Sequence, residues 1–261
     1  MLRFFCLSSI CVFLLNPVFA QSWEMGGFLG SSAYMGDLNP VTPYKVKDIS
    51  LGGQLKWNID PYWSIKLGFM HGKIQAADSL SKNEHFKERN LSFYSPVDEV
   101  SLQLEFNFFN YIPSVSKKRY SPYLFTGIGT VIFNPKTKLN GDEYELNLYG
   151  TEGQDIQNPY KTYALSVPFG AGVKYNITGK WNLIGEIGYR TAFTDYLDDV
   201  SNIYPNYSTL INPTAVALSD RSASHIGITG TQRGDFRKRD TYMFVGFSLT
   251  YTFLSDKCYN F

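Results

Sequence analysis

The sequence predicts an all-β fold, an eight-stranded antiparallel transmembrane β-barrel of the outer-membrane type with long external loops. Three observations carry that reading. Residues 242–253 alternate strictly, with Met243, Val245, Phe247, Leu249, Tyr251 and Phe253 on one side and Gly246, Ser248, Thr250 and Thr252 on the other. Side chains of a strand alternate with period two, so this segment has one uniformly apolar face. The pattern recurs along the chain, and an export-type N-terminus precedes it. A closed barrel is the β architecture able to cross a bilayer, because closure leaves no backbone edge unpaired.

Eight segments carry the alternation. The first, 23–34, is glycine-rich and weakly patterned. In the second, Ile49, Leu51, Leu55, Trp57 and Ile59 oppose Ser50, Gly52, Gln54, Lys56 and Asn58, and Asp60-Pro61 makes a tight turn. The third sets Trp63, Ile65, Leu67 and Phe69 against Ser64, Lys66 and Gly68, and a polar, unpatterned stretch, 76–95, follows. The fourth, 97–111, opposes Val100, Leu102, Leu104, Phe106 and Phe108 to Ser101, Gln103, Glu105 and Asn107. The fifth, 123–133, is apolar on both sides and contains Gly127 and Gly129. In the sixth, 163–175, Leu165, Val167, Phe169, Ala171 and Val173 oppose Ala164, Ser166, Gly170, Gly172 and Lys174. The seventh starts at Trp181 and reaches Phe193, and the eighth is 242–253.

Connections alternate in length too. Those at Asp60, 113–120 and Thr178 are short, whereas 76–95, 134–160 and 194–240 are long and the first, 35–47, is intermediate. A periplasmic N-terminus then puts every long segment outside the cell, as in outer-membrane barrels.

Arg3, the mostly apolar run from Phe4 to Leu15 and the close at Val18-Phe19-Ala20 read as a signal peptide over 1–20. The expected organisation is therefore signal peptide 1–20, barrel 21–253 and a short periplasmic tail, 254–261. Cleavage removes Cys6 and Cys11 and leaves Cys258, so no internal disulfide is expected. It also leaves 23 basic and 23 acidic residues, a balance that gives no reason to expect nucleic acid as a partner.

With the apolar faces toward lipid, Lys56, Lys66, Glu105, Lys174, Glu186 and Arg190 point into the lumen. Eight strands leave room only for side chains, so these charges must pair. Four basic and two acidic groups imply a basic excess that Glu24 reduces. Glu186 and Arg190, four residues apart on one strand, are about 13 Å from each other, and each is expected to pair across to a neighbouring strand. A salt-bridged plug is the favoured reading, and a narrow charge-lined pore is the alternative.

Catalytic signals are weak. His71 falls at the outer end of the third strand near Ser79 and Ser81, and His85 and His225 fall in loops. A rim hydrolase would need His71 against a serine hydroxyl. The carboxylates of Asp195, Asp198 and Asp199 match no defined calcium loop, so neither a metal nor a cofactor is expected. Arg233-Gly234-Asp235 spells an adhesion tripeptide too short to carry weight. Lys117, Lys118 and Arg119 form the basic cluster of a short turn, suited to an acidic periplasmic patch.

Several motifs resemble one family. Glu24-Met25-Gly26-Gly27-Phe28-Leu29-Gly30, continuing through Tyr34-Met35-Gly36-Asp37-Leu38-Asn39-Pro40, is similar to the opening of a Bacteroidetes outer-membrane barrel family that includes PorG of the type IX secretion system. Pro168-Phe169-Gly170-Ala171-Gly172-Val173-Lys174-Tyr175 is similar to its sixth strand. The run 191–201, containing Asp195, Tyr196, Leu197, Asp198 and Asp199, resembles its most recognisable motif. Arg233-Gly234-Asp235 and 242–253 resemble its closing segment. The resemblance implies a non-enzymatic barrel in contact with outer-membrane lipids, and for the secretion branch it implies association with periplasmic secretion-ring proteins.

Overall fold

The computed structural model describes residues 21–39, 48–210 and 212–253. Residues 1–20, expected to direct export, and the expected tail 254–261 with Cys258 lie outside the described residues. Ten strands form among them: β1 (Ser22–Met35), β2 (Asp48–Asn58), β3 (Trp63–Ala77), β4 (Ser92–Asn107), β5 (Tyr120–Phe133), β6 (Lys136–Leu139), β7 (Asp142–Glu145), β8 (Tyr163–Thr178), β9 (Trp181–Ala192) and β10 (Thr241–Phe253). Eight of them close a barrel. Each long strand lies antiparallel to its neighbours, β5 pairs with β8, and β1 pairs with β10 from Trp23↔Phe253 to Met35↔Thr241. The fold is thus the closed, eight-stranded antiparallel barrel of outer-membrane type that the alternation predicts.

The outer face is apolar along the part of the wall nearer the short turns. Leu29, Leu51, Leu67, Phe69, Leu102, Leu104, Ile128, Leu165, Ile187 and Phe247 are all exposed there. At the short-turn end, aromatic rings line up across the register. Trp23 is paired with both Trp57 and Phe253, Trp63 with Phe106, Tyr120 with Tyr175, and Trp181 with Tyr251. An apolar band bordered by an aromatic girdle is the surface of a membrane-spanning barrel.

Toward the long-loop end the alternation inverts. On β3, His71, Lys73 and Gln75 face outward while Met70 and Ile74 are buried inside. On β4, Asp98 faces outward while Phe93 and Val97 are buried. There the wall has left the hydrocarbon, so water is outside and the apolar groups turn inward. Phe93, Val97, Val131, Phe133, Tyr242 and Phe244 form one core with Leu197, Val200 and Leu218 from the loops.

This inversion explains where the sequence reading falls short. The stretch 76–95 is not unpatterned. β3 runs on to Ala77 and β4 starts at Ser92, opposite it, and between them lies a short helix, α1 (Glu84–Arg89), capped by the Asn83 side chain. Periodicity judged by an apolar exterior misses strands whose exterior is wet. His71 consequently lies within β3 and not at its end. The fourth strand, expected over 97–111, ends at Asn107, and the chain then folds under the barrel, with the Tyr111 N–H donating to the Pro61 carbonyl. The long segment 134–160 holds the β6–β7 hairpin, attached to β4 through Tyr94↔Lys136. Its tip is Asn140-Gly141, both at positive φ (55° and 97°), the backbone a tight hairpin turn requires. A second helix, α2 (Pro213–Ser219), lies in the last long connection.

Glu105 is fully buried between the outward Leu104 and Phe106. Leu104→Arg therefore places a cation against hydrocarbon, and a loss of roughly 2–4 kcal/mol is expected. Urea unfolding in lipid vesicles, with heat-modifiable migration as the folding assay, reads this out. Wild-type stability in that variant contradicts the assigned faces.

Candidate functional site: the lumen plug and the loop cap

Closure forces the inward side chains of neighbouring strands together. Lys56 and Lys66 stand directly opposite each other on β2 and β3, a repulsive pairing in isolation. Glu105 of β4 resolves it. Its carboxylate lies 3.1 Å from Lys56 Nζ, 3.2 Å from Lys66 Nζ and 2.7 Å from Lys174 Nζ of β8. Lys56 also meets Glu24 at 3.4 Å, and Lys66 meets Glu186 at 2.7 Å. The Tyr123 hydroxyl donates to the same Glu186 oxygen at 2.7 Å. Five charged groups from five strands are thereby tied to Glu105 directly or through one lysine.

A second cluster sits higher. Arg190 Nε lies 3.4 Å from Glu99, and the Tyr242 hydroxyl donates to Glu99 at 2.6 Å. The Arg190 guanidinium also lies 4.8 Å from the centre of the Phe244 ring. A Cβ at Gly188 would collide with that guanidinium and with the Phe125 ring, so glycine is what makes room for Arg190. Glu186 and Arg190 of β9 thus pair across the lumen with β3 and β4, not with the neighbouring β8 and β10 as expected, because the narrow bore brings opposite walls together. Glu99 also corrects the expected basic excess. Lys56, Lys66, Lys174 and Arg190 face Glu24, Glu99, Glu105 and Glu186, and the described lumen charges balance. The missing acid shares the parity of Glu105 on β4 and is legible from that alone.

Little space remains. Phe28, Gln54, Lys66, Met70, Gln103, Glu186, Arg190 and Ser248 enclose a void of ≈ 20 Å³, about enough for one water. At the short-turn end, Tyr111 donates to Asn182 at 2.8 Å, Asn176 to Asn182 at 2.9 Å, and Asn182 to Thr252 at 2.9 Å. The plug is thus charged in the middle, amide-bonded below and apolar above.

The long loops pack into a cap on the apolar layer. Within the motif run, Tyr196 stacks on Tyr160 at 4.5 Å, and buried Leu197 gives its N–H to Asp240. Asp198 accepts the Tyr34 hydroxyl at 2.6 Å, and Asp199 accepts those of Thr151 and Tyr160. Asp199 takes a φ of 66°, a backbone region short Asp and Asn side chains tolerate. Asp195 accepts the Ser201 hydroxyl at 2.6 Å. Burial pushes the Asp195 and Asp199 carboxyls up to about 6, even though Arg233 lies near Asp199. Burial and the neighbouring Asp198 push Asp37 up to about 9.

Two arginines anchor the cap, Arg89, which nothing in the sequence marks, and Arg233, which stands out there only as part of a tripeptide. Arg89 of α1 is paired with Asp78 at 2.7 Å and donates to the Asp37 carbonyl. Arg233 is buried against Glu152 at 2.9 Å and donates to the carbonyls of Asp199 and Ser219. Arg233-Gly234-Asp235 thus has its arginine inside the cap. No pattern in sequence marks these pairs, whose partners are 11 and 81 residues away.

The remaining candidates lie apart from the plug. Lys117, Lys118 and Arg119 are exposed at the short-turn end, and the Lys118 ammonium lies 3.7 Å from the centre of the Phe109 ring. His71 faces outward and meets Asp98 at 2.7 Å, while the Ser81 hydroxyl accepts from the Asn83 N–H. No serine hydroxyl is bonded to His71 among the described residues.

A family model described as Domain of unknown function (DUF6089) matches residues 3–212. A comparison with curated proteins found no match. Among solved structures, the chain is similar to Neisserial surface protein A, with 9% identity over 88% of this chain and 97% of that one and a TM-score of 0.44. It is also similar to a major outer membrane protein of Thermus thermophilus, with 13% identity over 90% and 100% and a TM-score of 0.43. Outer Membrane Protein W of E. coli matches with 14% identity over 90% and 99% and a TM-score of 0.40.

Glu105→Gln preserves size but leaves three buried ammonium groups short of an anion. The expected loss is about 3–5 kcal/mol, the range for removing one partner of a buried ion pair. Adding Lys174→Met should restore part of it, since one uncompensated cation is then gone. Equilibrium unfolding of both variants in lipid measures this, and a Glu105→Gln protein as stable as wild type would contradict the pairing.

Proposed function

This chain belongs to the DUF6089 family, and we propose that it is a non-enzymatic outer-membrane barrel that anchors or scaffolds a periplasmic assembly of the cell envelope. The observation that carries this reading is the filled lumen. Lys56, Glu105, Lys174 and Arg190 are each at most 1% exposed, and the loop cap covers the opposite mouth. A conducting barrel needs a water path, and a plug of mutually paired charges removes both the space and the free charge that would draw solutes in. The passive-pore alternative loses support for the same reason. His71 bonded to Asp98 and facing outward offers no nucleophile for the rim-hydrolase alternative.

The pattern of the 1–20 segment supports export, and the apolar band with its aromatic girdle suits residence among outer-membrane lipids. A barrel that neither conducts nor catalyses has its surfaces left to work with. The exposed Lys117-Lys118-Arg119 turn is the basic feature on the periplasmic side, suited to an acidic patch on a partner. The likeness of the 191–201 motif to the Bacteroidetes barrel family makes periplasmic proteins of the type IX secretion ring the partner class.

Two measurements test this. Purified protein in planar bilayers should give no stepwise conductance, and regular ohmic steps would favour the pore. A photo-crosslinking residue at Lys117 in intact cells should capture a periplasmic protein, and Lys117→Glu with Lys118→Glu should weaken that capture. Recovery of peptidoglycan alone, or of nothing, would overturn the scaffold reading.

A further inference from the structure

At the rim of the cap, three segments far apart in sequence bring carboxylates together. Asp37 follows β1, Asp195 opens the motif loop and Asp240 precedes β10; one oxygen from each lies within 4.8 Å of those of the other two. Among the described residues no ion pair reaches any of them, nor Asp198 beside them. The nearby cations are committed elsewhere, Arg89 to Asp78, Arg233 to Glu152 and Asp199, and Arg237 to Asp235.

The second observation concerns the oxygens themselves. Asp37 is 2% exposed, its Oδ1 accepts the Asp235 N–H, and its Oδ2 is buried without a hydrogen-bond partner. Asp195 repeats the arrangement, with Oδ2 taken by Ser201 and Oδ1 buried without a partner. Asp240 accepts the Leu197 N–H and shares the Tyr34 hydroxyl with Asp198, the nearer of the two. Gly36 and Gly234 let the chain pass so close that a Cβ at the first would collide with Asp240 and Tyr34, and one at the second would lie 2.9 Å from Asp37 Oδ1. Buried carboxylates without a counter-charge are costly, and unpartnered oxygens on two of them add to that cost.

We propose that Asp37, Asp195 and Asp240 bind one calcium ion, which ties the β1–β2 connection, the motif loop and the last long loop to the barrel rim. The donor set is all oxygen, which suits a hard cation. Two ligands on opposite sides of calcium lie up to about 5 Å apart, so three oxygens within 4.8 Å of one another can share the ion, whereas magnesium gives up its own waters reluctantly. Water fills the remaining coordination positions when the ion binds. A largely buried site of three carboxylates among the long loops is expected to work at the calcium levels found outside the cell, with a dissociation constant on the order of 10⁻⁴–10⁻³ M. Protonation of the carboxyls is the competing way to relieve the repulsion. It moves Asp37 and Asp195 in the direction that burial already pushes them.

The test uses the full-length mature protein refolded in detergent, with CaCl₂, MgCl₂ or EDTA as the additive. Wild type should bind calcium in isothermal titration. Its unfolding temperature should rise by about 5–10 °C when calcium reaches about 100 times its dissociation constant. Magnesium should give a smaller shift. Asp37→Asn and Asp195→Asn should each lose the calcium shift while still migrating as folded barrels in EDTA; the less deeply buried Asp195 is the safer of the two for folding. Wild type indifferent to calcium would overturn the proposal, and both variants being more stable than wild type in EDTA would then assign the site to shared protons. A calcium shift that survives in both variants would overturn it as well, by placing the ion elsewhere.

Discussion

Everything inside this barrel depends on keeping buried charge paired where water cannot reach. Eight strands enclose a lumen that side chains fill, so each lysine placed there forfeits its hydration and must recover it from a carboxylate. Glu105 does so for three lysines at once, from β2, β3 and β8. That makes it a register pin. A one-residue slip of β4 would send Glu105 into lipid, and a two-residue slip would carry it about 7 Å along the barrel, out of reach of all three ammonium groups. Hydrophobic alternation alone rejects the first error and says nothing about the second, so the ion cluster supplies what the lipid face cannot.

The wall meets two solvents, and the fold follows each. Where hydrocarbon lies outside, the apolar residues face out and the polar ones meet in the lumen. Above that level the order reverses, and Ile74, Phe93, Val97 and Phe133 build a core of the kind found in water-soluble domains. The loops belong to this second regime. Leu197 and Leu218 reach down into the core, while Arg89 and Arg233 satisfy the backbone carbonyls and carboxylates that a compact cap would otherwise leave bare. Plug and cap are continuous among the described residues, so the interior passes through three successive chemistries along its length.

This division sets how much could be read beforehand. The inward positions of Lys56, Lys66, Glu105, Lys174, Glu186 and Arg190 follow from parity alone, and the narrowness of eight strands already demands that they pair. Glu99 obeys the same parity and was readable. Asn140-Gly141 likewise marks a hairpin that a search for lipid-facing strands overlooks. The motif run 195–199 stands out in the sequence, yet its side chains turn to Ser201, Tyr160, Tyr34 and Thr151, none of which is predictable from spacing.

By itself, then, the sequence determined the barrel, its eight wall strands within the membrane, the faces of the clearly alternating strands and the alternation of short and long connections. These are consequences of local periodicity, since a strand shows its environment every second residue. The tertiary structure decided who pairs with whom. Three lysines on Glu105, Arg190 on Glu99 beneath Tyr242, the burial of Arg233, and the meeting of Asp37, Asp195 and Asp240 all join residues whose separation along the chain has no bearing on their distance in space. Barrel closure and loop packing bring them together, and no local pattern encodes an encounter between segments about 200 residues apart.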